Sequence, residues 1–268
     1  FEVQIIGFAK QIGDIADGAS AVLEFCAIAL LLTALAVYWY CHSVRFTLLP
    51  IVCSLTSLVW QFGTLRLLGY GLDPLAVLVP FLVFAIGVSH GVQQINYISK
   101  EVCTGVDTMT AARRSFTGLL IPGTMALVTA FVGFATLTLI PIPMIRELGI
   151  TAAIGVAYKI VTNLVMLPVA ASYVRFDDRY VGRVNKLRER RSRWMGVLGR
   201  VAEPRNAAIG TLVCAALFVA AWHQSQGRHI GHLQPGAPEL RADSRYNQDA
   251  TRIVEKFELG LDVLSVVV

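Results

Sequence analysis

The amino-acid sequence predicts a mostly α, polytopic helical membrane protein, and three observations carry that prediction. The 268 residues are 55% hydrophobic and only 15% charged, with a mean hydropathy of +0.62, a balance that suits neither a soluble domain nor a disordered chain. The apolar residues gather into six runs, each near the roughly 20 residues needed to cross about 30 Å of hydrocarbon. The basic residues fall between those runs, so the net charge of +5 reflects membrane topology and does not imply a nucleic-acid partner.

Taken in order, residues 1–18 are expected to close a preceding domain, with a loosely alternating strand from Val3 to Phe8 and a short polar helix through Lys10 and Asp17. The first span, 19–40, is apolar apart from Glu24 and ends in Y-W-Y, aromatics suited to the interface. The second, 46–65, is uncharged between Arg45 and Arg66. The third, 74–98, turns polar from Gly87 onward. Ala111 to Leu120 reads as a short interfacial helix leading into a fourth span, 121–140. The fifth, 148–174, is apolar but for Lys159 and some polar neighbours, and the sixth, 206–222, is short and uncharged.

After Trp222 the composition becomes that of a soluble domain, so residues 224–268 are expected to open an outer α/β domain. There Ser244 or Asn247 caps a helix through Ile253, Val254 and Phe257, Gly260 stops it, and a strand follows from Val263. The chain begins at Phe1 and stops within V-L-S-V-V-V, as cuts through a longer protein would.

Six spans return the chain to its starting side, which divides the loops into two sets. One set carries Arg45, then Lys100, Arg113 and Arg114, then ten basic residues from Arg175 to Arg205; the other carries Arg66 and Arg146, fourteen against two. The positive-inside rule makes the first set cytoplasmic, with both ends of the chain periplasmic. The run from Arg175 to Arg205 also holds Trp194, Met195, Val197 and Leu198, so it reads either as an amphipathic helix on anionic lipid or, the simpler account, as a plain topogenic loop.

Candidate functional residues lie where polar groups enter the apolar runs. Ser89, His90, Gln93, Gln94, Asn96 and Tyr97 each cost free energy in lipid, which predicts that the third span faces other helices. Gly87 and Gly91 form a small-xxx-small pair that admits a neighbouring backbone. Between them His90 is either a proton-handling group or a satisfied interior histidine. Lys159 and Asn163 share one helix face at i and i+4. Counted from Lys100 and Arg175 at 1.5 Å per residue, His90, Asn163 and Lys159 lie roughly 15, 18 and 24 Å deep. Lys159 is then either part of a relay with Asn163 and His90 or a lysine facing a wet crevice. The five cysteines (Cys26, Cys41, Cys53, Cys103 and Cys214) have no paired spacing, and H-x-x-H at His229 and His232 lacks companion ligands, so neither disulfides, metal nor cofactor is expected.

These residues carry a resemblance. G-V-S-H-G in the third span, I-P-I-P-M-I-R-E-L-G-I-T-A-A-I-G-V entering the fifth, T-N-L-V-M-L-P at its end and P-G-A-P-E-L-R-A-D-S-R-Y-N-Q-D beyond the sixth resemble the resistance-nodulation-division superfamily, nearest its MMPL-type exporters and related to sterol-sensing-domain proteins. The resemblance implies that the chain is half of a two-repeat, twelve-span transporter with periplasmic α/β porter domains. It also implies a bacterial inner membrane, the proton gradient as driving force, and hydrophobic or lipid-like molecules moved outward. Further copies in a homo-oligomer are the other expected partners.

One departure qualifies it. Many relatives carry an acidic residue in the span that here holds Ser89 and His90. Coupling then falls to His90, with Ser89, Lys159 and Asn163 as further candidates, or to a carboxylate in the second repeat, or the protein is not proton-driven. A sterol-sensing-like regulator that binds lipid without net transport is the alternative function. An enzyme is not expected, since H-E-x-x-H does not occur in the spans.

Overall fold

The computed structural model describes residues 3–71, 76–174, 178–228, 236–237, 240–241 and 243–257, and among them every regular element is helical. Helix α1 is Phe8–Cys41, α2 Val44–Leu67 and α3 Val79–Cys103, the last entered through a 3-10 turn at Ala76–Leu78. Helix α4, Thr108–Thr136, ends in a 3-10 turn at Leu137–Leu139; α5, Pro143–Lys159, runs through a π-helical stretch, Ile160–Met166, into α6, Leu167–Ser172. Helices α7, Asp178–Gly199, α8, Pro204–Ser225, and α9, Arg245–Phe257, complete the described order. Among the described residues, six helical stretches are long and apolar enough to cross a membrane: Glu24–Cys41, Val44–Leu67, Ala76–Cys103, Thr108–Leu139, Pro143–Ser172 and Pro204–Ser225.

Several expectations are corrected. Residues 3–6 form no strand, because no partner strand exists among the described residues and an unpaired strand cannot satisfy its backbone. The Ile5 N–H instead donates to Asp249 Oδ2 at 3.3 Å. The polar helix at Lys10 is the opening of α1, and the helix at Ala111–Leu120 is the first third of α4. Both continue because an α-helix satisfies its own backbone on either side of the membrane surface, so a change in polarity need not break it. The stretch read most simply as a topogenic loop forms α7 over 22 residues. Of the expected outer α/β domain only the helix α9 is present among the described residues. The strand from Val263, the stop at Gly260 and the pair His229 and His232 lie outside the described residues.

The chain divides into two compact units, Gly18–Asn185 and a second comprising Phe1–Asp17 with Lys186–Val268. In the second unit Ser244 is the cap of α9, its Oγ accepting from the Asn247 N–H at 3.3 Å. Asn247 is instead a staple: its Oδ1 accepts from Ala237 N at 2.8 Å while Nδ2 donates to the carbonyls of Ala237 and Arg241 at 3.1 and 3.0 Å. Gly236 sits at φ 104° against that side chain, where a Cβ would have no room. Helix α8 buries none of its residues.

In the first unit α3 is central, with α2, α4 and α5 all packed on it. Its buried residues Val83, Phe84, Gly87, Val88, Gly91, Gln94, Ile95 and Ile98 recur at three and four, the helical period. The loop grouping by charge corresponds to the two ends of this unit. At one end, Tyr180 meets Phe46 with ring centroids 5.7 Å apart and Ser99 Oγ at 3.1 Å, while Arg114 pairs with Glu101 at 2.7 Å. These contacts gather the segments that carry Arg45, Lys100 and Arg113. At the other end Tyr70, Ile140, Pro143 and Arg146 line one hollow.

Candidate functional site

The polar groups inside the bundle converge where α2, α3 and α5 cross. Small residues permit the approach. A Cβ on Gly91 would lie 2.5 Å from Pro50 Cβ, one on Gly155 would lie 2.8 Å from the Gln61 amide, and one on Gly87 would overlap the Lys159 amine and lie 2.5 Å from Ser54 Oγ. Pro50, Ser54, Ser57 and Gln61 form one face of α2 and are all buried. Reading 46–65 only as an uncharged run missed this face; the spacing of four, three and four between its small and polar residues is the signal that reveals it.

Lys159 is fully buried, and its Nζ donates to the Ser54 carbonyl at 3.1 Å across the seam. Asn163, equally buried, donates from Nδ2 to the Gly87 carbonyl at 2.6 Å. Gly87 is thus the point on α3 that both side chains reach. Gln61 Nε2 donates to the Thr151 carbonyl at 2.8 Å, which fixes α2 against α5. Among the described residues, four buried side-chain polar atoms make no hydrogen bond: Ser54 Oγ, Gln61 Oε1, Gln94 Nε2 and Asn163 Oδ1. Such atoms are uncommon because each keeps a desolvation cost of about 1–3 kcal/mol. Two of them belong to Ser54 and Asn163, the side chains that meet α3 at Gly87.

The helix that carries Lys159 and Asn163 is not regular there. Its Leu167 N–H bonds back to the Thr162 carbonyl, five residues away, in place of the α-helical four. Pro168 supplies a physical reason, since it has no N–H and its ring crowds the carbonyl four residues earlier, a conflict that widening the preceding turns relieves. Such π turns recur at functional positions. The widened stretch holds Asn163 at the level of Gly87.

The other candidates are distributed differently from Lys159 and Asn163. His90 is half-buried, with Nδ1 2.9 Å from the carbonyl of Ile86 on its own helix, and it makes no hydrogen bond to Lys159 or Asn163. Ser89, Gln93 and Asn96 are exposed on one stripe of α3, so the polar half of this helix does not all turn inward within this chain. Gln94 does turn inward, accepting at Oε1 from Ser115 Oγ of α4.

Comparison with known proteins agrees with this architecture. A family model described as the MMPL family matches residues 1–223. A membrane protein of Methanocaldococcus jannaschii is 28% identical over 137 residues, covering 50% of this chain and 34% of that protein. Multidrug resistance protein MdtC of Yersinia pseudotuberculosis is 26% identical over 152 residues, covering 55% of this chain and 15% of MdtC. The MdtC of Yersinia enterocolitica matches to the same extent. The chain therefore spans between about a seventh and a third of the length of these relatives. With its six membrane-length helices and a family match over most of its length, the chain belongs to the MMPL family.

Proposed function

We propose that the chain is one half of a proton-driven exporter of hydrophobic or lipid-like molecules in the inner membrane, and that the seam around Lys159 is where this half exchanges protons. The observation that carries the reading is the amine itself. Lys159 is fully buried at membrane depth, its described hydrogen bond goes to a backbone carbonyl, and the ion pairs among the described residues all lie elsewhere. Removing a charged group from water costs several kcal/mol, so opening and closing this seam changes the free energy of the protonated amine on that scale. One charge crossing a membrane potential of 100 mV is worth about 2.3 kcal/mol, which a seam of this kind can convert into a change of helix packing.

Export is supported by the relatives whose name is multidrug resistance protein. The exposed stripe of Ser89, Gln93 and Asn96 supports a second half, because polar groups at membrane depth do not suit lipid. His90, beside that stripe, is the second titrating candidate. The three basic segments face the cytoplasm and both ends of the chain the periplasm.

The test uses the full-length protein in proteoliposomes under an imposed pH gradient. Lys159→Met is expected to insert and elute as a folded protein while losing at least about tenfold in gradient-driven transport, roughly 1.4 kcal/mol of coupling. Wild-type transport by that variant would remove the seam from the mechanism.

A further inference from the structure

On the opposite flank of α5–α6 from this seam, α4 and α6 leave a groove of about 430 Å³ lined by Met109, Ala112, Arg113, Phe116, Thr117, Val165, Pro168, Val169 and Ser172. We propose that it is a binding site for an anionic phospholipid, with the headgroup phosphate on Arg113 and an acyl chain lying between the two helices. The claim is independent of the transport mechanism and of which face is cytoplasmic.

The walls are two helical stripes. Met109, Ala112, Arg113, Phe116 and Thr117 follow one face of α4, and Val165, Pro168, Val169 and Ser172 one face of the facing segment. The polar atoms of these walls are already satisfied within their own helices. Thr117 Oγ1 donates to the Arg113 carbonyl at 3.1 Å, and Ser172 Oγ donates to the Val169 carbonyl at 2.7 Å. What remains facing the groove is hydrocarbon, with exposed Met109, Val165 and Val169 along its edges and buried Ala112 as its floor.

Arg113 is the one charged residue of the lining and is exposed. The carboxylates nearby are committed. Glu101 is paired with Arg114 at 2.7 Å, and Asp107 Oδ2 accepts from the Thr110 N–H at 3.0 Å as the cap of α4. Arg113 lies six residues inside that cap, roughly 9 Å along the helix, at the depth where an arginine meets phosphates while its stem lies against hydrocarbon. A planar guanidinium with parallel N–H groups recognises a phosphodiester by geometry as well as by charge. An unpaired cation at the mouth of an apolar furrow is complementary to a single phospholipid and to few other molecules.

The experiment measures retained lipid on the purified full-length protein by native mass spectrometry, with phosphatidylglycerol and phosphatidylcholine of matched chains as probes. Wild-type protein should retain phosphatidylglycerol preferentially. Arg113→Gln should lower that preference about fivefold, the scale of one basic side chain at a lipid surface. Arg113→Lys should keep most of it and shows that the Gln effect is not misfolding. Val169→Trp, at an exposed position, fills the furrow with the charge intact and should reduce retention as well. Unchanged preference in Arg113→Gln overturns the proposal. Loss in Arg113→Gln with full retention in Val169→Trp also overturns it, since charge alone would then hold the lipid at the surface.

Discussion

Gly87→Ala and Gly91→Ala are the same chemical change one helical turn apart, yet the seam predicts different consequences. In an exposed helix either substitution would stabilise by up to about 1 kcal/mol. At Gly87 the new methyl would overlap the Lys159 amine and lie 2.6 Å from Lys159 Cε and 2.5 Å from Ser54 Oγ. At Gly91 it would lie 2.5 Å from Pro50 Cβ and 3.3 Å from Pro50 Cα, atoms of a ring and a backbone that cannot rotate away. Overpacking of this kind costs about 1–3 kcal/mol, with Gly91→Ala at the upper end and Gly87→Ala at the lower, because a lysine terminus can yield. Unfolding in mixed micelles measures both. The second arm is a double-mutant cycle. Ser54 Oγ has no hydrogen-bond partner, so Ser54→Ala alone should cost little; combined with Gly87→Ala it should recover at least about 0.5 kcal/mol, while leaving Gly91→Ala unchanged. Only Gly87→Ala should also impair gradient-driven transport, since it alone displaces the amine. If both alanine variants are as stable as the parent, or if Ser54→Ala rescues them equally, the helices do not approach at Gly87 as argued.

Three further outcomes are expected. His90→Gln keeps hydrogen-bonding capacity and approximate size without titrating, so it should fold, insert and bind substrate while losing proton-driven transport; a wild-type rate under a pH gradient would assign His90 to packing alone. Arg190→Cys in a Cys-free background should react with impermeant maleimide only after the cells are opened, and labelling of intact cells would reverse the topology. Asp107 caps α4, and its bond from the Thr110 N–H holds the carboxyl below the ordinary 3.8. Its contribution to stability is therefore complete above that value and is lost as pH falls through the depressed one. Asp107→Ala should accordingly destabilise at neutral pH, by a margin that shrinks in acid, whereas Asp107→Asn, which keeps an acceptor, should stay near the parent in a thermal-unfolding series.

The membrane helices were legible because apolar length is a one-dimensional signal, and the i, i+4 spacing of Lys159 and Asn163 correctly put them on one buried face. Where a helix starts was less legible. Lys10 and Arg113 change the polarity of a helix without ending it, so α1 and α4 each look like two elements in sequence. The π turn at Ile160–Met166 leaves little trace in composition. Pro168 marks a conflict in the hydrogen-bond ladder without saying whether a kink, a break or a widened turn resolves it. The α2 side of the seam went unread for another reason: serine and glutamine scarcely lower the hydropathy of a long run, and only their periodicity reveals that Ser54, Ser57 and Gln61 share a face.

Ser89 and His90 stand on a helix, α3, that presents two different sides. Its inward face is made of Val83, Gly87, Gly91 and Gln94 and meets α2, α4 and α5, whereas Ser89, Gln93 and Asn96 remain exposed. A carboxylate at position 89 or 90 would therefore not have paired with Lys159 by default, because Lys159 reaches α3 at Gly87, on the inward face. The amine donates to the Ser54 carbonyl, the unbonded Ser54 Oγ lies against the same point on Gly87, and the unbonded Asn163 Oδ1 is on the face of the helix that carries Lys159. An oxygen acceptor stabilises a donor, so in this seam the amine is held by a neutral oxygen. Introducing Ser89→Asp should consequently leave the packing of Lys159 intact, and any effect on transport must arise at the exposed stripe, where His90 lies.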